Sequence, residues 1–328
     1  MGIFCFFQNC CKKKNDYKEI NIFGLKNLGN TCFMNSSLQC LLHCKKLIDN
    51  LNSIEQNNIK TRLTNEILIL LKNIKNDEKI LNPVKIKEIL SEVEEKYKYN
   101  EQNDANEFIT VFLNYLLKEL NGQGIYKPSN IQLDELEKKG FDRLENKFFL
   151  KNKCFLLNLF YGRLKREYIC ENGHIFNLKF NNYNTIILPH PDQSNDIIDL
   201  LKLYQEKKMI NDEIFCDYCK KKVKYSIKTI IYNIPEYFIL CIEKEMIHSF
   251  SGLNYPRKLE TKKFMNNDNS KYSLFSLIVY TGDRERGHYT AKCFQNKDLY
   301  HINDSDYKKV NEEEINDKNS IILFYEKI

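Results

Sequence analysis

Apolar residues along the chain follow two different periods, and the change falls near residue 150. Before it the spacing is helical. Residues 31–46 predict one helix and residues 65–71 a second. Behind Pro83, the apolar positions of residues 84–90 continue through Val93 as a third. Phe108, Val111, Phe112, Tyr115 and Leu116 form an i, i+3, i+4, i+7 stripe, so residues 104–120 predict a fourth helix. After residue 150 the apolar runs become short and β-rich: 155–161, 237–242, 274–280 and, as a last strand, 321–325. Asn- and Lys-rich clusters at 49–60 and 264–271 read as surface loops. There is no internal repeat, and no linker is long or biased enough to separate two independent domains. The pattern predicts an α+β chain with a helical first third.

At 328 residues the chain can bury a sizeable core, as one large multi-lobed domain or two smaller ones. Fifty basic against 44 acidic residues give +6, scattered through short lysine runs. Without aromatic-interleaved basic repeats, that charge does not point to nucleic acid as a partner. No apolar run approaches the roughly 20 residues a membrane span needs. The start lacks a basic stretch followed by a long apolar one, so no secretory signal is expected. Twelve cysteines in a chain of this length are therefore expected to be reduced: one catalytic, some metal-binding, some buried and a group at the N-terminus. The expected compartment is the cytoplasm, with the nucleus left open.

Residues 1–22 differ in composition from the rest. Gly2, after removal of Met1, is a site for myristate, and Cys5, Cys10 and Cys11 are sites for palmitate. Lys12, Lys13 and Lys14 would then sit near anionic lipid. Stable anchoring takes two such signals, and this segment offers them, which makes a membrane surface an expected partner. Phe6 stands where the myristoylation motif prefers Ser or Thr, and a hydrophobic tail is the alternative.

Candidate chemistry begins at Cys32, which a Gly/Asn-rich turn (Gly24 to Thr31) delivers to the start of the first helix. Unpaired backbone N–H groups and the helix dipole there favour a thiolate. Asn27 lies just upstream, on a loop able to offer an amide to a developing oxyanion. About 250 residues later, His288 opens a strand-like segment behind a Gly-containing polar loop, and Asn303-Asp304 follows on what reads as the neighbouring strand. A cysteine nucleophile needs an imidazole, and that imidazole needs an Asn or Asp to fix its tautomer. The order Cys, His, Asn/Asp is that of a papain-like cysteine hydrolase. The Asn-Asp pair leaves open which of the two orients His288.

Cys32 and its flanks resemble the Cys box of the ubiquitin-specific protease family. Gly287-His288-Tyr289 with Ile302-Asn303-Asp304-Ser305 resembles its His box, and residues 102–108 resemble the Gln-x-Asp-Ala-x-Glu-Phe signature between them. The resemblance spans roughly residues 23–328, and three ordered blocks over that length make a chance match very unlikely. It implies a papain-like fold with a helical thumb, a β-rich palm and a β finger at roughly 155–235. It also implies a deubiquitinase acting on ubiquitin and ubiquitinated proteins. Carried over residue by residue, it makes Gln102 and Asp104 contacts to the ubiquitin tail. Gly287, Tyr289 and Gly282 then shape the channel for its two glycines. Glu107 reads as a local structural group, with Asn103 or Asp104 as a helix cap beside it. The family often has His where Tyr280 stands. A catalytically weak ubiquitin-binding module, or a protease for a related modifier, is the alternative.

The family's finger usually carries two Cys-x-x-Cys pairs. Here Cys216 and Cys219 form one, whereas the first pair keeps only Cys170, with Asn172 in the place of a thiolate. His174 is the nearest substitute, so a Cys3His zinc site of Cys170, His174, Cys216 and Cys219 is expected, and a finger without metal is the alternative. A nucleic-acid-binding zinc module would suit the lysines after Cys219 but would leave Cys32 and His288 unexplained.

Overall fold

The computed structural model describes residues 21–54, 61–121, 135–189, 196–242, 253–283 and 286–328. The expected acylation sites Gly2, Cys5, Cys10 and Cys11 lie outside them.

The thumb is built around α1 (Cys32–Leu42), every residue of which is buried. Its buried polar side chains find donor bonds: Ser37 Oγ donates to the Phe33 carbonyl (2.7 Å) and Gln39 Nε2 to the Phe23 carbonyl (2.9 Å),. The single helix expected over 31–46 is in fact two. The chain turns at His43, whose Nδ1 bonds the Gln39 carbonyl at 2.7 Å, and Cys44 goes extended before α2 (Lys45–Ser53). Part of the expected 49–60 loop is therefore helical. Then come α3 (Arg62–Lys75), α4 (Val84–Ser91), which starts directly behind Pro83, and α5 (Ala105–Glu119). In α5 the buried face holds Phe108, Ile109, Phe112, Leu113 and Leu116, a rotation that leaves Val111 and Tyr115 half-buried. A parallel ribbon of β1 (Gly24–Leu25) and β2 (Ile80–Leu81) closes the thumb.

Helix α6 (Glu135–Leu144), a π-helical turn over Glu145–Phe149, α7 (Leu150–Asn152) and α8 (Phe155–Phe160) lead out of the thumb. Residues 155–161 were expected as a strand, and α8 corrects that. A continuous apolar run has no period to separate a buried strand from a buried helix. Here all of α8 except Asn158 is buried, with Phe160 stacked on Tyr237 at 5.2 Å.

The finger opens with β3 (Gly162–Cys170) and β4 (Ile175–Tyr183). The chain detours to the palm for β5 (Thr185–Leu188) and α9 (Ile197–Tyr204), then returns for β6 (Lys207–Cys216) and β7 (Lys221–Asn233). The finger sheet runs β4-β3-β7-β6, so it uses only parts of the expected 155–235 span. At its base the buried Arg163 guanidinium pairs with Glu145 and lies over the Phe149 ring at 3.8 Å.

The palm comprises β8 (Tyr237–Ile242), β9 (Lys258–Glu260), β10 (Lys271–Gly282), β11 (Gly287–Gln295), β12 (Asp298–Asn303), β13 (Asp306–Val310) and β14 (Ser320–Lys327). Its sheet runs β13-β12-β11-β10-β14-β8-β5, with β9 also paired to β10. One face packs Ile278, Ala291 and Phe324 against the thumb helices. The other packs Leu274, Leu277 and Leu323 against α9 and Phe264. Among the described residues no helix is long and apolar enough to cross a membrane.

Candidate active site and metal centre

The turn before α1 is shaped by its own side chains. Asn27 Oδ1 accepts from the N–H groups of Gly29 (3.0 Å) and Thr31 (3.2 Å), while Thr31 Oγ1 accepts from the Leu28 N–H (2.8 Å). Gly29 (φ 95°) and Asn30 (φ 53°) take the left-handed conformation that Gly and Asn tolerate best. A Cβ on Gly29 would also meet the Asn100 side chain at 2.9 Å. Asn30 Nδ2 donates to the Asn100 carbonyl (2.7 Å), fixing the turn to the loop before α5. Cys32 then enters the helix at its first residue, 3% exposed.

The opposite wall is the β10–β11 hairpin. Gly282 pairs with Gly287 and Thr281 with His288. Glycine is required at both positions: a Cβ on Gly287 would lie 2.2 Å from the Tyr280 ring, and one on Gly282 (φ 147°) would lie 2.3 Å from Gly287 Cα. His288 Nε2 lies 2.6 Å from Asn303 Oδ1 at the end of β12. Because that oxygen only accepts, Nε2 carries the proton and Nδ1 is left as the basic nitrogen.

Asp304 has a different set of partners. Its Oδ2 accepts from Asn27 Nδ2 (2.8 Å), its Oδ1 from Asn35 Nδ2 (2.7 Å), and its carbonyl from the Leu25 N–H (2.7 Å). It sits at φ 51°, again a conformation Asp tolerates. Of the neighbouring pair, Asn303 thus bonds His288, whereas Asp304 ties the Cys32 turn to the palm. Sequence reasoning missed Asn35, which also donates to the Lys26 carbonyl at 3.2 Å. The available signal was an amide one turn after Cys32, on a helix whose buried polar residues Asn35, Ser36, Ser37 and Gln39 all need partners.

No hydrogen bond joins Cys32 to His288 among the described residues. Burial pushes the Cys32 thiol above its ordinary value. The Tyr289 backbone N–H works against this, and the negative charge of Asp304 adds to it. Tyr289 is buried beside Tyr280, ring centroids 4.8 Å apart. Burial first, then the charge of Asp104, keeps its phenol well above the ordinary range.

Asp104 is the N-cap of α5, its Oδ1 accepting from the Glu107 N–H at 2.9 Å, and Glu107 pairs with Lys96. Gln102 is placed against the palm: Nε2 donates to the Gly287 carbonyl (2.7 Å) and Oε1 accepts from the Gly287 N–H (3.1 Å). Behind the site, His301 Nε2 lies 3.1 Å from Thr290 Oγ1. Burial, then Lys292 and Lys308, lower its pKa.

At the finger tip, ligand atoms of Cys170, His174, Cys216 and Cys219 all lie within 4.8 Å of one another. Two tight turns present them. In the first, the Cys170 N–H reaches the His174 carbonyl (3.0 Å) across Gly173 (φ 86°). In the second, the Lys220 N–H reaches the Cys216 carbonyl (2.8 Å). Asn172 Nδ2 donates to Cys219 Sγ at 3.2 Å rather than competing as a ligand. Burial opposes ionisation of Cys216, yet the N–H groups of Cys219 and Tyr218 bring its pKa below that of an ordinary thiol. The donor set and spacing fit a tetrahedral zinc ion.

Helices on one wall and a β palm on the other, with thiol and imidazole supplied from opposite walls, define the α+β papain-like class. The sequence comparisons narrow this. Residues 23–325 match the model of the family described as ubiquitin carboxyl-terminal hydrolase, and the chain belongs to that family. It is 27% identical over 354 residues to the probable ubiquitin carboxyl-terminal hydrolase 4 of Schizosaccharomyces pombe, covering 95% of this chain and 59% of that protein. It is 25% identical over 335 residues to ubiquitin carboxyl-terminal hydrolase 2 of Rattus norvegicus, covering 92% and 53%. The chain thus spans a little over half the length of these relatives. Among solved structures, a SAGA Ubp8/Sgf11/Sus1/Sgf73 DUB module bound to ubiquitin aldehyde shares the fold. That match has a TM-score of 0.73 at 18% identity, over 94% of this chain and 70% of the other.

Proposed function

We propose that this chain is a cysteine-type deubiquitinase that hydrolyses isopeptide, peptide or thioester bonds at the C-terminal glycine of ubiquitin. The observation that carries the reading is the separate support of two catalytic elements in one cleft. Asn303 holds His288 in the tautomer that leaves Nδ1 basic, and Asp304 holds Asn27 beside the helix start that bears Cys32. The family membership and the ubiquitin aldehyde bound to a protein of the same fold support the substrate class.

His288 Nδ1 removes the Cys32 proton as the thiolate attacks the glycine carbonyl. One N–H of Asn27 Nδ2 is committed to Asp304; the other, with the Cys32 backbone N–H, stabilises the oxyanion. His288 protonates the departing lysine amine, and water resolves the acyl-enzyme. By the family resemblance, Gly282, Gly287 and Tyr289 line the channel for the two glycines of the tail. Asp104, whose Oδ2 makes no hydrogen bond among the described residues, offers charge to its arginines. The test is hydrolysis of a ubiquitin C-terminal amide by wild type and Cys32→Ala: turnover that survives the substitution sinks the reading.

The finger cluster is read as a structural zinc site, holding the β3–β4 and β6–β7 turns together; the closed ligand set leaves no position for chemistry. Acylation at Gly2 and Cys5, with attachment of a cytoplasmic enzyme to a membrane surface, is proposed from the sequence of residues 1–22 alone.

A further inference from the structure

Resting on the cysteine-hydrolase reading, we infer that Gln102 is a positioning residue that sets the direction of His288, rather than a contact to substrate. Its side-chain amide grips both polar groups of Gly287, donating to the carbonyl at 2.7 Å and accepting from the N–H at 3.1 Å. That carbonyl belongs to the peptide joining Gly287 to His288, so Gln102 fixes the plane from which the His288 side chain departs.

The hairpin is held on either side of Gly287, by the Asp283 N–H on the Arg286 carbonyl (2.8 Å) and by the pairing of Thr281 with His288, but Gly287 itself is its weak point. Its facing residues here are two glycines, Gly282 and Gly287, which have the least conformational preference of any residue. The Tyr280 ring fills the space where a Gly287 side chain would stand, and Tyr280 in turn donates to the Asp283 carbonyl (2.6 Å). The two polar groups of Gly287 itself are both taken by Gln102, which reaches the hairpin from the thumb. Its own footing leads to the nucleophile. Three residues on, the Ala105 carbonyl is the longer acceptor (3.3 Å) of a Ser37 Oγ proton shared with the Phe33 carbonyl on α1, and Cys32 begins that helix. Residues 102–105 thus bridge the thiol's helix and the imidazole's strand. A substrate contact would have no need to use both ends of the amide on one residue of the protein, gripping the peptides on either side of Gly287.

The test uses the full chain and two variants, Gln102→Met, which keeps the bulk without the hydrogen bonds, and Gln102→Glu. Alkylation of Cys32 by iodoacetamide is followed by mass spectrometry of the Cys32 peptide, with His288→Ala giving the rate without imidazole assistance. Gln102→Met should alkylate about tenfold more slowly than wild type at neutral pH, approaching His288→Ala. Its kcat on a ubiquitin amide should fall 10- to 100-fold, in keeping with the cost of a small misplacement. Its ubiquitin Kd, measured in a Cys32→Ala background, should stay within about twofold. Gln102→Glu should be most defective where the carboxylate is ionised, since it then cannot donate to the Gly287 carbonyl. Relative to wild type it should recover as pH falls, because a protonated carboxyl supplies donor and acceptor together.

Wild-type alkylation rates in both variants, a loss confined to Kd, or a wild type no faster than His288→Ala would each overturn the inference. A Gln102 effect on alkylation in a protein that cleaves no ubiquitin amide would support it while rejecting the deubiquitinase reading.

Discussion

Replacing Asp304 separates the two roles that the Asn303-Asp304 pair could play. Asp304→Ala removes the acceptor of Asn27 and Asn35, at 2.8 and 2.7 Å, and leaves alanine at φ 51°. The left-handed conformation costs alanine roughly 1–2 kcal/mol. Hydrogen bonds to a charged group contribute about 1.5–3 kcal/mol each. Both losses here fall at or below the low end of that range, because water replaces the partner of the exposed Asn27 and Asn35 keeps the Lys26 carbonyl. A total near 3 kcal/mol should lower Tm by about 6 °C for a chain of this size. The catalytic effect should be larger in proportion, since an unheld Asn27 is a displaced oxyanion donor, with a loss in kcat of up to about 10². Ubiquitin affinity, measured in a Cys32→Ala background, should be unchanged. Asp304→Asn keeps the backbone conformation and one acceptor, so about a tenfold loss and a shift under 2 °C are expected. Asn303→Ala should lower kcat with little change in Tm, because it acts on an exposed bond to His288 alone. An Asn303→Ala enzyme at wild-type rate, beside an inactive Asp304→Ala, would refute the assignment and give the orienting role to Asp304.

The finger should hold about one zinc per chain by metal analysis, and Cys216→Ser should release it while sparing alkylation of Cys32; metal-free protein with an intact Tm would reject the zinc site. His301 has a folded-state pKa below its ordinary 6.5. The stability this represents is fully present above pH 6.5 and is lost as pH falls from there through the folded value. His301→Gln should flatten that acid slope in denaturant melts between about pH 5 and 7, and an unchanged slope would refute the linkage. For the N-terminus, C-terminally tagged wild type should partition to membranes while Gly2→Ala and Cys5→Ser shift to the soluble fraction; identical soluble distributions for all three would end the acylation proposal.

What was legible in the sequence follows from which signals are local. The turn before Cys32 and the cap at Asp104 are short-range chemistry, written in Gly, Asn and Asp at fixed offsets, and the α+β division follows the change of period near residue 150. The failures are tertiary. Residues 155–161 carry no period to separate strand from helix, and the break where Cys44 goes extended has no Gly or Pro to announce it. The division of labour between Asn303 and Asp304 is a matter of which way two adjacent side chains point at the end of β12. The bonds from Gln102 to Gly287 were not legible, since nothing near Gln102 in sequence announces a partner 185 residues away.

The central claim is that Cys32 is the nucleophile of a ubiquitin-directed hydrolase, and trapping it is the most direct measurement. Wild type, Cys32→Ala and His288→Ala would be incubated with ubiquitin carrying a C-terminal electrophile, and the adduct mapped by mass spectrometry. The account predicts one covalent ubiquitin on Cys32 in wild type, none in Cys32→Ala, and a much slower adduct in His288→Ala. An adduct on another cysteine, or Cys32→Ala that still cleaves a ubiquitin amide, would contradict it.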